Sequence, residues 1–156
     1  MKEITCCFTG HRTIPMGQLN YVANLLDRTV EELIAKGYSV FAAGGALGFD
    51  TMAAQCVLNL KSKYPHIKLI LILPCLEQTK NWRERDIYIY EDIKSKADEV
   101  IYTSLNYTKS CMFKRNRALV DKSSVCIAYL TKNAGGTAYT AKYAFEKGLQ
   151  LINLGR

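Results

Sequence analysis

The chain has 156 residues, of which 49% are hydrophobic and 22% charged, a composition that excludes disordered, collagen-like and low-complexity proteins. Its longest apolar run, around residues 69–73, is far shorter than the ~20 residues that cross a bilayer, and no apolar leader follows Met1. We therefore expect a cytoplasmic protein with no membrane segment. The net charge of +7 comes from residues 102–156, which carry 9 Lys and Arg against 2 Asp and Glu, and this excess suits either an anionic partner or simple solvation.

Six strand-length apolar segments alternate with amphipathic stretches along the whole chain. Val22, Leu26, Val30 and Leu33 have helical spacing, and similar patterns predict helices around 52–60, 82–97, 113–121 and 138–147. Strands are predicted at 4–8, 39–43, 67–73, 99–103, 124–130 and 150–154. The alternation predicts an α/β fold, a Rossmann-like three-layer sandwich with a mostly parallel central sheet and helices on both faces, as a single domain over residues 1–156.

The six cysteines lie singly or side by side within apolar stretches, without CxxC spacing, and only His11 and His66 could join them as metal ligands. We interpret them as reduced core residues and predict neither a metal nor a bound cofactor. They are Cys6, Cys7, Cys56, Cys75, Cys111 and Cys126.

The residues that could bind a ligand or take part in a reaction lie in four loops that follow predicted strands, at 9–12, 44–51, 113–117 and 133–140. In an open α/β sheet, ligands bind beyond the carboxyl ends of the strands, where these loops meet. The second and fourth loops join a strand to a helix through paired glycines, an arrangement that lets backbone N–H groups approach a phosphate. Each pair alone is equally well explained by a tight turn, and neither matches GxGxxG or the Walker A pattern.

Polar side chains in these loops each have a functional and a structural interpretation. The guanidinium of Arg12 suits a phosphate, although a surface turn would also hold an arginine. His11 has no sequence-identifiable partner and receives no catalytic role. Asp50 either caps the second helix or binds ribose hydroxyls.

The last third of the chain and one loop add further candidates. Arg115 and Arg117 are two residues apart on a helix, so only one of them is expected to face the cleft, while Asn116 between them could contact a base or a ribose. Trp82, preceded by Gln78 in the segment after the third strand, is either a stacking platform for a base or a core anchor. Lys142, Lys147 and Arg156 are expected on outer faces.

Four of these motifs resemble, in order, those of the SLOG superfamily, which joins the DNA-processing protein DprA to the LOG proteins, and they look most like its YpsA-like family. They are the opening FTGHR at 8–12, GGALGFD at 44–50, RNR at 115–117 and the glycine-threonine loop at 135–140. The resemblance implies a Rossmann-like fold and a nucleotide-binding cleft. The implied ligand-binding residues are Gly10, His11, Arg12, Gly44, Gly45, Gly48, Asp50, Arg115, Asn116, Arg117, Gly135, Gly136, Thr137 and Thr140.

The resemblance favours a protein that binds a nucleotide or nucleotide derivative as a sensor or regulator, and it leaves catalysis open. LOG proteins hydrolyse the bond between base and ribose phosphate with a carboxylate at the position of Thr140, so that activity would need Asp50 or Glu84 in its place. Single-stranded DNA binding of the DprA type is a second alternative, expected to be weak. The sequence leaves open whether copies of the chain form a homo-oligomer.

Overall fold

The computed structural model describes residues 1–155, and its centre is one six-stranded sheet in which all five strand pairs are parallel. The order across the sheet is β4-β3-β2-β1-β5-β6. Every predicted strand is present, which confirms the parallel sheet expected from the alternation. The strands are β1 (Thr5–Gly10), β2 (Val40–Ala43), β3 (Lys68–Leu73), β4 (Glu99–Tyr102), β5 (Val125–Tyr129) and β6 (Gln150–Asn153).

Five helices cover the two faces of the sheet, so the predicted three-layer arrangement is confirmed. They are α1 (Leu19–Ala35), α2 (Phe49–Leu60), α3 (Glu84–Lys96), α4 (Cys111–Asp121) and α5 (Gly135–Glu146). Helix α2 contacts β1, β2 and β3 and lies between α1 and α3, whereas α4 and α5 pack together on the opposite face. Within residues 1–155, no helix is long and apolar enough to cross a membrane.

The two faces of the sheet form two hydrophobic clusters because successive strand side chains point in opposite directions. Phe8 of β1 lies in the larger cluster under α1, α2 and α3, while its neighbour Cys7 lies in the smaller cluster under α4 and α5. All six cysteines are buried and unpaired, in agreement with their assignment to the interior.

The order of the strands places a topological switch point beside β1. The chain proceeds from β1 through β2 and β3 to β4 on one side, and α4 then carries it back to β5 on the other side of β1. The loops after β1 and β5 therefore leave the sheet in opposite directions, and a crevice opens between them at the carboxyl edge. Helix α2 supports one wall of this crevice through Phe49, whose ring stacks with Tyr129 at a centroid distance of 5.9 Å and meets Phe8 edge-on at 6.5 Å.

We expect Phe49→Ala to lower the free energy of unfolding by about 3 to 5 kcal/mol, because it removes a fully buried ring that touches both β1 and β5. Urea denaturation followed by circular dichroism measures this change. Phe145→Ala is the matched control, since that ring is 73% exposed on α5, and it should change stability by less than about 0.5 kcal/mol. Equal effects of the two substitutions would contradict the packing described for Phe49.

Candidate functional site

A cleft of about 250 Å³ occupies the switch point at the carboxyl edge of the sheet. The end of β1 with the loop after it, the start of α2, Arg115 and Asn116 of α4, and the start of α5 form its walls. Most of the residues predicted from the four motifs meet here, so segments that lie far apart in the chain share one surface. The lining residues are Phe8, Thr9, Gly10, His11, Arg12, Asp50, Arg115, Asn116, Ala134, Gly135, Gly136 and Thr137.

Helix α5 opens onto the cleft with an uncapped N-terminus. Ala134 stands at the N-cap in an extended conformation, and its side chain accepts no capping hydrogen bond from the N–H groups of the first turn. The N–H groups of the first turn have no carbonyl partners within a helix, and the helix dipole adds partial positive charge there. A Cβ added at Gly136 would meet nothing within 4 Å, and its φ is not in the left-handed region, so neither packing nor backbone geometry requires this glycine. The position is open to a ligand.

Arg115 contributes a buried positive charge to the floor of the cleft. Its side chain is 4% exposed, its Nη1 donates to the carbonyl oxygen of Gly44, and its Nε donates to Oδ1 of Asn116 at 2.7 Å. The bond from Arg115 fixes the amide of Asn116 with its oxygen turned inward, which leaves the Nδ2 donor available to the cleft. Arg115 and Asn116 therefore both present donors to whatever occupies the space.

The loop after β1 places Arg12 and His11 on the opposite wall. Arg12 is exposed and forms no ion pair within the described part of the chain. His11 accepts a hydrogen bond at Nε2 from the backbone N–H of Thr131 at 2.9 Å. Burial, with a smaller contribution from the charge of Lys132, lowers the pKa of His11. The imidazole is thus neutral near pH 7, with its proton on Nδ1 as a donor.

Asp50 is the single carboxylate among the described residues that line the cleft. It is the second residue of α2, whose N-cap is Gly48, and its Oδ2 accepts a hydrogen bond from the backbone N–H of Ala46 at 3.3 Å. Burial raises the pKa of Asp50 from its ordinary value of 3.8 to about 6, against the opposing effects of Arg115, of the Ala46 N–H and of Arg12. A carboxyl group that titrates near neutral pH therefore faces a wall of donors.

Three of the predicted glycines lie behind the cleft rather than on its surface. A Cβ at Gly44 would stand 2.8 Å from Nη1 of Arg115, and one at Gly48 would collide with the backbone of Arg12. Gly45, with a φ of +73°, packs against Leu73. These glycines bring the walls close together, whereas Gly135 and Gly136 border open space.

Arg117 and Thr140 also lie outside the cleft. Arg117 points away from Arg115, as the spacing of the two residues predicted, and its Nη1 donates to the hydroxyl of Tyr139 at 3.1 Å. Thr140 is buried one turn inside α5, where its hydroxyl donates to the carbonyl oxygen of Gly136 at 2.9 Å.

Trp82 and Glu84, which the sequence offered as a base-stacking residue and as a catalytic carboxylate, both lie outside the lining of the cleft. Trp82 packs against the larger core cluster and meets Tyr90 edge-on at 5.5 Å, in agreement with its reading as a core anchor. Glu84 is the exposed first residue of α3 and does not line the cleft. Phe8, Thr9 and Ala134 line the cleft but were not predicted, because small and apolar side chains give no chemical signal in a sequence.

Comparisons with known proteins agree with this architecture. Residues 6–150 match the sequence profile of the YpsA family, which is described as the YspA SLOG family. A UPF0398 protein of Halalkalibacterium halodurans is 30% identical over 160 residues, with 96% of this chain and 84% of that protein covered. The SPbeta prophage-derived protein YoqJ of Bacillus subtilis is 34% identical over 128 residues, with 74% and 75% covered.

Two solved structures share the fold at low sequence identity. DNA processing protein A of Helicobacter pylori, whose single-stranded DNA binding mode has been described, superposes with a TM-score of 0.69 at 18% identity. The same protein of Streptococcus pneumoniae gives a TM-score of 0.72 at 18% identity. Both superpositions cover 97% of this chain, which spans only 65% and 50% of those two proteins.

We expect Asp50→Asn to stabilise the fold at pH 8 by about 3 kcal/mol, because a carboxyl whose pKa rises from 3.8 to about 6 opposes folding once it is ionised. Below about pH 4 the carboxyl is protonated in both the folded and the unfolded chain, and burial costs little. As the pH rises through 6, the buried group has to ionise, and the free energy of unfolding falls. The gain from Asn should therefore be small at pH 4 and full at pH 8. Urea denaturation at both pH values, with the exposed Glu146→Gln as control, measures it; an equal gain at both would contradict the raised pKa.

Proposed function

We propose that this chain, which belongs to the YspA SLOG family, binds a nucleotide or nucleotide derivative and acts as a sensor or regulator, as one domain over residues 1–156. The observation that carries the proposal is the uncapped N-terminus of α5 at the switch point, open at Gly136 and faced by the unpaired cation of Arg12. Anions bind at such helix starts. The six buried, unpaired thiols support a cytoplasmic location for this function.

The charges in the cleft define how a nucleotide would lie. A phosphate belongs beside the first turn of α5, where the backbone N–H groups, Arg12 and the N–H of neutral His11 all supply donors. Ribose hydroxyls belong beside Asp50, because this carboxyl accepts hydrogen bonds from them and repels a phosphate. The distribution of charge thus fits a ligand with an anionic end and a hydroxylated middle.

Hydrolysis of an N-glycosidic bond is the second candidate, and Asp50 is the observation in its favour. A carboxyl with a pKa of about 6 can exchange a proton near neutral pH. However, position 140 is a buried threonine bonded to backbone, so α5 supplies no second carboxylate to the cleft that could stabilise an oxocarbenium-like centre. Incubation with AMP should therefore release no free adenine, and turnover of order 1 s⁻¹ would make hydrolysis the function.

We expect mononucleotides to raise the melting temperature and Gly136→Ala to weaken their binding at least tenfold, because the added methyl group would occupy the space beside the first turn of α5. Without ligand, the same substitution should leave the fold intact or stabilise it by about 0.5 to 1 kcal/mol, since nothing lies within 4 Å of the added Cβ. Thermal shift with a panel of nucleotides and ADP-ribose, followed by calorimetry, measures both effects.

Gly17→Ala is the matched control for Gly136→Ala. Gly17 also has open space around its Cβ position but lies outside the cleft, in the turn before α1. Its substitution should leave ligand affinity unchanged. Equal ligand affinity in the wild type and in Gly136→Ala would remove the anion site at α5, and a panel in which no compound binds would remove the nucleotide function.

We expect nucleotide affinity to depend on Arg12 and not on the exposed lysines of α5 and its C-terminal end. Arg12→Ala should weaken binding at least tenfold, whereas Lys142→Glu with Lys147→Glu should change it less than twofold, since both lysines lie on the outer face. Arg156, which was also expected on an outer face, lies outside the described residues. Binding of single-stranded DNA should be micromolar or weaker at physiological salt. Submicromolar DNA binding that the lysine reversals abolish would favour the DprA-like alternative.

A further inference from the structure

A second cavity, of about 320 Å³, lies beside the cleft at the same edge of the sheet. The loop between β3 and α3 forms one side, and the loop before α4 with the first turn of that helix forms the other. The backbone N–H of Leu76 donates to the carbonyl oxygen of Leu105 at 3.2 Å, so the two loops are tied together. The lining residues are Glu77, Gln78, Lys80, Asn81, Tyr107 and Met112.

The cleft and this second cavity share a wall built around Arg115. Arg115 lines the cleft, and its Nη2 contacts Sδ of Met112 in the second cavity at 3.7 Å. The carbonyl oxygen of Gly44 accepts from Nη1 of Arg115 on one side and from Nε2 of Gln78 on the other. The two spaces therefore lie on either side of this wall, and a ligand that occupies both has to pass over its outer rim. The cleft of about 250 Å³ is small for a whole nucleotide.

Gln78 is the unusual residue of the second cavity. It is 6% exposed, and its Oε1 is the one buried side-chain polar atom with no hydrogen-bond partner among the described residues. Its Nε2 makes only a long bond of 3.5 Å, to a carbonyl oxygen that Arg115 already occupies. Buried amides are normally satisfied. This oxygen lies 3.3 Å from the Cβ position of Gly45, and it would reach the second cavity if the amide turned. The missing partner is a donor, because the unpaired atom is an oxygen.

The other walls suit a flat ring. Tyr107 is 62% exposed at the mouth of the cavity, where its ring offers a stacking face, and the thioether of Met112 offers a polarizable one. Asn81, in the same loop as Gln78, holds a φ of +70°, the only positive φ outside glycine in the described chain, and asparagine tolerates this left-handed conformation.

We propose that this second cavity binds the nucleobase of the ligand, and that Gln78 turns its amide oxygen to accept a hydrogen bond from an exocyclic amino group of the base. The proposal rests on the proposed function, which places the phosphate at α5 and the ribose beside Asp50. It assigns the specificity of the site to bases with an amino group at the ring edge, such as adenine, over their keto counterparts, such as hypoxanthine. Hypoxanthine carries an acceptor oxygen where adenine carries the amino donor, and an unpaired acceptor in the site disfavours a second acceptor at that position.

Isothermal titration calorimetry with ribose 5-phosphate, AMP and IMP tests the proposal on the full chain. In the wild type, AMP should bind at least tenfold more tightly than either ribose 5-phosphate or IMP. Gln78→Ala should bring the affinities for AMP and IMP within twofold of each other, with ribose 5-phosphate unchanged. Tyr107→Ala should weaken both nucleotides at least fivefold without affecting ribose 5-phosphate, and its exposed position leaves the fold intact. Tyr88→Ala, on the outer side of α3, is the matched control.

The probes separate failure of this proposal from failure of the proposed function. If ribose 5-phosphate binds while AMP binds no better, or if Gln78→Ala keeps the preference of the wild type for AMP over IMP, the base site is overturned and the phosphate cleft stands. If none of the three compounds binds, the proposed function is overturned, and the base site with it. A tenfold preference for IMP over AMP would also overturn the role given to the oxygen of Gln78.

Discussion

The buried guanidinium of Arg115 is the interaction on which the carboxyl edge of the sheet depends. An unpaired charge in a protein interior is costly, so the surrounding groups must satisfy its donors. The carbonyl oxygen of Gly44, the amide oxygen of Asn116 and the sulfur of Met112 accept from three of its five N–H donors. Position 44 has to be glycine, because a Cβ there would stand 2.8 Å from the guanidinium. The end of β2 and the start of α4 are thereby held together across the edge.

This arrangement also sets the electrostatics of the cleft. The charge of Arg115 opposes the effect of burial on Asp50, whose pKa nevertheless rises to about 6. The uncapped start of α5 and the free side chain of Arg12 add positive potential on the opposite side. The acceptor Asp50 therefore lies among donors in one small volume, so the two ends of a polar ligand meet different surroundings. An anion would prefer the start of α5 to the start of α2, because α2 carries the carboxyl of Asp50 there.

The fold that this chain shares with DNA processing protein A does not by itself assign it that protein's function. The same α/β architecture, at 18% identity, belongs in Helicobacter pylori to a protein described by its binding of single-stranded DNA. This chain matches only 65% of that protein, and a common fold supports many functions. Function in this chain must be argued from its own cleft, in which the described charges converge on a small space and the exposed lysines of α5 lie elsewhere.

The sequence by itself determined the elements and their class. Strand-length apolar runs, helical spacing and their alternation depend on neighbours along the chain, so they predict six strands, five helices and a parallel sheet. The sequence also identified the motif loops by their glycines and charged side chains. They were expected to meet, because parallel strands bring their carboxyl ends to one edge of the sheet. Tertiary structure alone decided which loop residues face the cleft. The bond from Arg115 to Gly44 spans 71 positions and the bond from Thr131 to His11 spans 120. No local pattern encodes such contacts, because they arise only when separate elements pack. For the same reason, only the folded chain could show the unpaired oxygen of Gln78, the raised pKa of Asp50 and the open space at Gly136.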